Sequence, residues 1–241
     1  MIRWLLAVLV FSATPAVAVT CENLRYRGDS YTVCTVDVAQ SDLRLFHKDP
    51  GGAILGQFGA IGGLPDVGRV IFAMNAGMYH ENREPVGHYK EAGITYRDPV
   101  ANAGPGNFGM LPNGVFCLNA GAAQIFETRR YLRDQPSCRD ATQSGPMLVI
   151  DGALHPRFLP DSTSRFVRNG VGVSADGAVA VFAISNNAVS FHAFASLFRD
   201  YLRVPNALYF DGKVSRMFMP EIGRNDFGFR LGPMVAVVAQ P

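Results

Sequence analysis

The chain has 241 residues, 48 % of them hydrophobic and 17 % charged, and carries a formal net charge of +2. This is the composition of a folded protein, with length for one large domain or two small ones. The balanced charge argues against a nucleic-acid binder, which concentrates basic residues in a patch, and it leaves no polybasic anchor for an anionic membrane surface.

Arg3 provides a short positive start, and Trp4 to Phe11 is unbroken apolar sequence. Pro15 interrupts it before Ala16-Val17-Ala18, a small-x-small site of the kind signal peptidase reads. The run is shorter than the roughly 20 residues a membrane span needs. Residues 1–18 are therefore read as a signal peptide and 19–241 as one exported domain, periplasmic or secreted, monomeric, and without membrane insertion once the leader is removed. Four cysteines behind such a leader indicate disulfides. Pairing Cys21 with Cys34 and Cys117 with Cys138 closes the shortest loops, and no Cys-x-x-Cys spacing favours a metal.

Short runs rich in Val, Ile, Phe and Tyr, bounded by Gly, Pro, Asn or Asp, predict strands. They are Tyr31–Val38, Leu43–His47, Arg69–Met74, Val115–Leu118, Gln124–Phe126, Met147–Ile150, Gly170–Val173, Val179–Ile184, Ala207–Phe210 and Met234–Val238. Asn119-Ala120-Gly121 and Asp176-Gly177 read as hairpin turns. A short helix is expected over Glu127–Arg133. A longer one starts at the N-cap Ser190, carries Phe191, Phe194, Phe198 and Tyr201 at helical spacing, and stops before Pro205. Strands dominate and do not alternate with helices, which predicts an α+β domain on a mixed, strongly twisted β-sheet with a few packed helices.

Phosphate loops, dinucleotide fingerprints, nucleophile elbows and zinc-protease motifs are all missing. Five scattered histidines name no metal triad. Asp151, Asp161 and Asp211 lack calcium-loop spacing, so neither metal nor cofactor is expected. What remains is a set of polar strand ends: Asn75 and Gly77 after one strand, Gln143, Ser144 and Gly145 before another, Arg168 and Asn169 before a third, and Asp211 and Gly212 closing a fourth. Each alone is an ordinary turn composition; together they suggest a grouped site. His192, in the first helical turn, is placed where the helix dipole disfavours protonation, and Glu81 is a second carboxylate beside the Asn75 segment.

The blocks Asn75-Ala76-Gly77-Met78-Tyr79, Pro112-Asn113-Gly114-Val115-Phe116, Ala141-Thr142-Gln143-Ser144-Gly145-Pro146, Arg168-Asn169-Gly170-Val171-Gly172 and Leu208-Tyr209-Phe210-Asp211-Gly212 stand in an order that resembles the phosphodiester glycosidase family, especially its small exported bacterial members. The resemblance runs from about Tyr31 to Val238. It implies hydrolysis of a sugar from a glycosyl phosphodiester, with Asp211 as nucleophile or base, Arg168 gripping the phosphate, and His192 assisting proton transfer. Asn75, Gly77, Gln143, Ser144, Gly145, Asn169, Gly212 and Ser215 would bind substrate. In the last block the family's Asp-Gly-Gly-Gly-Ser-Ser pattern becomes Asp211-Gly212-Lys213-Val214-Ser215-Arg216, which leaves the substrate open and offers Lys213 as a phosphate contact. The other readings are a non-catalytic binder of envelope polysaccharide and a glycosidase acting on a non-phosphorylated glycan.

Overall fold

A computed structural model describes residues 19–239; the proposed leader lies outside them. In chain order the strands are β1 Val19–Tyr26, β2 Asp29–Asp37, β3 Asp42–Phe46, β4 Val70–Asn75, β5 Tyr89–Glu91, β6 Ile94–Arg97, β7 Gly114–Asn119, β8 Ala122–Glu127, β9 Asp140–Ser144, β10 Met147–Ile150, β11 Ala153–Leu154, β12 Asn169–Val173, β13 Val179–Ser185, β14 Asn206–Asp211, β15 Met217–Met219, β16 Arg224–Asn225 and β17 Met234–Val238. Helices are α1 Phe58–Ile61, α2 Thr128–Asp134 and α3 Phe191–Ser196. Strands hold 42 % of the chain and helices 11 %, which gives an α+β domain governed by its sheets.

The expected single mixed sheet resolves into three. One runs β1-β2-β13-β12-β14-β10-β11, a second β16-β15-β4-β17-β3 and a third β6-β5-β9-β7-β8. Every strand ladder among the described residues is antiparallel; some are hairpins of consecutive strands, such as β1–β2 and β7–β8, and others join strands distant in the chain. All three sheets turn one face toward a common core. Phe182 and Leu208 enter it from the first, Phe72 and Val235 from the second, and Phe116 and Tyr89 from the third. Helices close the outer faces. Phe194 and Phe198 pack beside Tyr31 and Leu148, Phe58 and Ile61 against Phe46 and Met234, and Tyr131 against Val115. Sheets buried on both sides lose the apolar–polar alternation, which is why β12 and β17 are buried at every position.

Two elements depart from the sequence pattern. The helix begins at Ser190, whose hydroxyl accepts from the Ala193 amide at 3.1 Å, but α3 gives way after one and a half turns to a π-helical turn, Leu197–Tyr201. The wider turn shifts the register of the aromatic stripe, so Phe194 and Phe198 are buried while Tyr201 is half exposed. Thr142–Ser144, expected as loop, are the end of β9. Their polar side chains are consumed by local acceptors rather than by water, so the segment is buried throughout.

Both predicted disulfides are present. Cys21–Cys34 cross-links the first hairpin, and Cys117–Cys138 ties β7 to the segment entering β9. Replacing Cys117 and Cys138 with serine is expected to lower unfolding free energy by about 3 kcal/mol, from the chain entropy released, read by urea denaturation.

On β5, Tyr89 donates to Glu91 at 2.5 Å, and burial pushes the Glu91 carboxyl up from 4.5 to about 7. The fold therefore favours the protonated acid. That contribution is complete below the ordinary carboxylate range and is lost as pH rises through about 7. Glu91→Gln should match wild-type stability near pH 5 and exceed it increasingly toward pH 8; a constant difference across this range would contradict the assignment.

Candidate active site

Asn75 closes β4 in the second sheet and Asn169 opens β12 in the first, and the two carboxamides meet where these sheets abut. Both are fully buried. Asn169 Nδ2 donates to Asn75 Oδ1 at 3.0 Å and to the Asn75 carbonyl at 3.1 Å. The remaining acceptor capacity is spent on one neighbouring loop. Asn169 Oδ1 accepts from the Asp211 amide (3.1 Å) and the Ser215 hydroxyl (3.3 Å), and Asn75 Oδ1 accepts from the Arg216 amide (2.9 Å). The carbonyls of Asp211 and Val167 are alternative acceptors for the single Ser215 hydroxyl proton, at 2.9 and 3.0 Å. A carboxamide both donates and accepts, so this pair can satisfy buried backbone on either side without introducing charge.

The loop so held begins at Asp211, the last residue of β14. Its Oδ1 accepts from the amides of Gly212 (2.6 Å) and Lys213 (2.9 Å), which fixes the carboxylate by its own turn. Burial raises the Asp211 pKa, while these amides and Lys213 pull against it. The carboxyl faces a cavity of about 440 Å³ whose walls include Tyr79, Asn107, Phe108, Phe166, Tyr209 and Lys213. Asp211 is the only carboxylate among the described lining residues. Another cleft of comparable size, beside Ser41 and Arg139, contains none of the strand-end motifs.

The structure sorts the residues singled out in the sequence into three groups. Asp211 and Gly212 line the cavity, as does Lys213. Asn75, Asn169 and Ser215 build the network beneath it. Gln143, Ser144, Gly77 and Gly145 support the frame. Gln143 accepts from the amides of His88 and Val100 and donates to the Val100 carbonyl and Thr128, leaving no free end for a ligand. Ser144 donates to the Phe210 carbonyl. Gly77, at φ +132°, lies against Thr142 and Gln143, and a Cβ at Gly145 would meet that of Asn113 at 2.6 Å.

Two assignments change. Arg168 does not grip a ligand directly: it is 1 % exposed, does not line the cavity, and its guanidinium is already engaged by Val189, Ser164 and Tyr209. His192 lies on α3, is absent from the cavity lining and makes no described polar contact. Glu81 is exposed and also outside the lining.

Tyr209 and Tyr79 were not singled out in the sequence. Tyr209 stands two residues before Asp211, and strand alternation puts both on one face; that period was the available signal. Tyr79 ended a quoted block, and its ring packs against Gly232 while its hydroxyl donates to the Arg230 carbonyl at 3.4 Å. Burial and the Asp211 charge push its pKa up to about 12. Arg216 holds the loop beyond from below, through the Asp226 and Phe229 carbonyls and Gln57, leaving Phe227 and Phe229 exposed.

Comparison with known proteins places this arrangement. The family model for phosphodiester glycosidases matches residues 68–233, which contain every element of the network and cavity just described. The Escherichia coli (strain K12) protein YigE is 32 % identical over 216 residues, covering 88 % of this chain and 84 % of its own length. Among solved structures, the catalytic domain of zebrafish N-acetylglucosamine-1-phosphodiester alpha-N-acetylglucosaminidase superposes with a TM-score of 0.63 at 13 % identity, over 92 % of this chain and 82 % of that one. A Synechocystis protein gives a TM-score of 0.62 at 12 % identity, over 92 % and 62 % of the two chains. At these identities the structures speak for the fold alone, while the family match over residues 68–233 carries membership: the chain belongs to the phosphodiester glycosidase family.

Proposed function

We propose that this protein is an exported hydrolase that cleaves a sugar from a glycosyl phosphodiester, with Asp211 activating the attacking water. The observation that carries the reading is the solitary carboxylate. An ordinary glycosidase sets two carboxyl groups across the scissile bond, one as acid for the leaving oxygen and one as base or nucleophile. The described lining of this cavity offers one, together with the cation of Lys213. A phosphate leaves as a stabilised anion and needs little protonation, so one base and a positive, hydrogen-bonding surface suffice. The same reasoning disfavours a non-phosphorylated glycan. Export is supported by the two disulfides, which persist in oxidising compartments, and by the leader-like start.

Two outcomes are expected with N-acetylglucosamine-1-phosphodiester and related sugar-1-phosphodiesters. Asp211→Asn should lower kcat by at least about a hundredfold, the scale of general-base catalysis, with a urea midpoint no lower than wild type; near wild-type turnover would remove Asp211 from the mechanism. Because the base must be ionised and burial holds its pKa above the usual carboxylate range, kcat/KM should fall on acidification through a limb displaced upward from that range. A limb at the ordinary carboxylate position would contradict the buried setting of Asp211.

A further inference from the structure

Arg168 is the largest side chain in the fully buried set, and among the described residues no carboxylate partners it. Its Nε donates to the Val189 carbonyl at 2.9 Å, its Nη2 to the Ser164 carbonyl at 3.2 Å and its Nη1 to the Tyr209 hydroxyl at 3.4 Å. The Phe191 ring covers one face, with its centroid 3.6 Å from Cζ. A buried cation held only by neutral acceptors is costly, and packing alone would be served better by an apolar residue of similar volume.

The contact with Tyr209 gives the charge a use. Tyr209 lines the cavity beside Asp211, with its hydroxyl against the backbone of Gly212, where any Cβ would collide with it. A phenol oxygen can accept two hydrogen bonds and donate one. Arg168 Nη1 donates to it at 3.4 Å and so occupies its accepting side, while burial raises the phenol's pKa and keeps the proton on oxygen. The O–H has no described protein acceptor and is left to a ligand in the cavity.

We propose that Tyr209 is a catalytic residue whose O–H donates a hydrogen bond to the departing phosphate, and that Arg168 is a positioning residue that holds and polarises the phenol from behind. This rests on the phosphodiester reading above. In the step, the anomeric carbon–oxygen bond breaks and its electron pair stays with the phosphate oxygen. Water supplies the new oxygen on the anomeric carbon and gives its proton to Asp211. Tyr209 keeps its proton throughout and stabilises the charge gathering on the phosphate.

The test compares steady-state hydrolysis of N-acetylglucosamine-1-phosphodiester by wild type, Tyr209→Phe, Arg168→Gln and the double variant, with urea unfolding as the check on folding. Loss of one preorganised donor predicts a fall in kcat of about a hundredfold for Tyr209→Phe, with KM within about threefold. Arg168→Gln should lose about tenfold in the wild-type background and almost nothing further when Tyr209 is already Phe, because it acts through the phenol. Should Arg168→Gln not fold, Arg168→Lys, which keeps the charge without the fork, takes its place with the same expected non-additivity. Turnover of Tyr209→Phe within about threefold of wild type, or equal Arg168 losses in both backgrounds, overturns the inference and leaves the phosphodiester reading standing. A folded wild type that cleaves none of the sugar-1-phosphodiesters overturns both.

Discussion

The reciprocal hydrogen bonding of Asn75 and Asn169 is the interaction on which the rest of this site depends. It lies at a boundary that no ladder bridges, between the end of one sheet's strand and the start of another's. Ladder bonds are unavailable there, yet the backbone at Asp211 and Arg216 still needs acceptors, and unpaired buried amides cost on the order of 1–3 kcal/mol each. Two carboxamides answer both needs at once. They join the sheets and bond the ends of the loop that carries Asp211, Gly212 and Lys213. The Asp211 carboxylate is thus referenced to two sheets rather than to a free loop, which gives the fixed geometry a site requires.

The cavity sets few charges against largely apolar walls. Phe108, Phe166 and the two tyrosines line it beside Asp211 and Lys213, and next to such surfaces a charge or dipole acts more strongly than it would in bulk solvent. Burial raises the Asp211 pKa, since the ionised form loses solvation. Its two backbone donors temper that rise and hold one oxygen in place.

Much of the strand framework was legible because apolar runs bounded by turn residues survive whatever the sheets later do with them, and local cysteine spacing gave both disulfides. The division into three sheets was not legible. Pairing such as β2 with β13, or β4 with β17, joins segments far apart in sequence, and no local pattern encodes a partner. The site residues came forward as a group because Asn, Gln, Arg and Asp stood at strand ends. Their roles did not, because composition cannot say whether a polar group faces a ligand or a neighbouring carbonyl. Gln143 and Ser144 turned inward to backbone, Arg168 sank behind Tyr209, and Tyr209 itself read as an ordinary strand aromatic.

The buried guanidinium also bears on how robust this protein is. A cation without a counter-charge weakens the folded state, and natural proteins hold such defects where activity benefits from them. An anion entering beside Tyr209 would bring the missing negative charge toward Arg168, so the folded chain is better balanced when occupied than when empty. Selection for thermal endurance alone would be expected to erase Arg168 early, exchanging competence for durability at a single position.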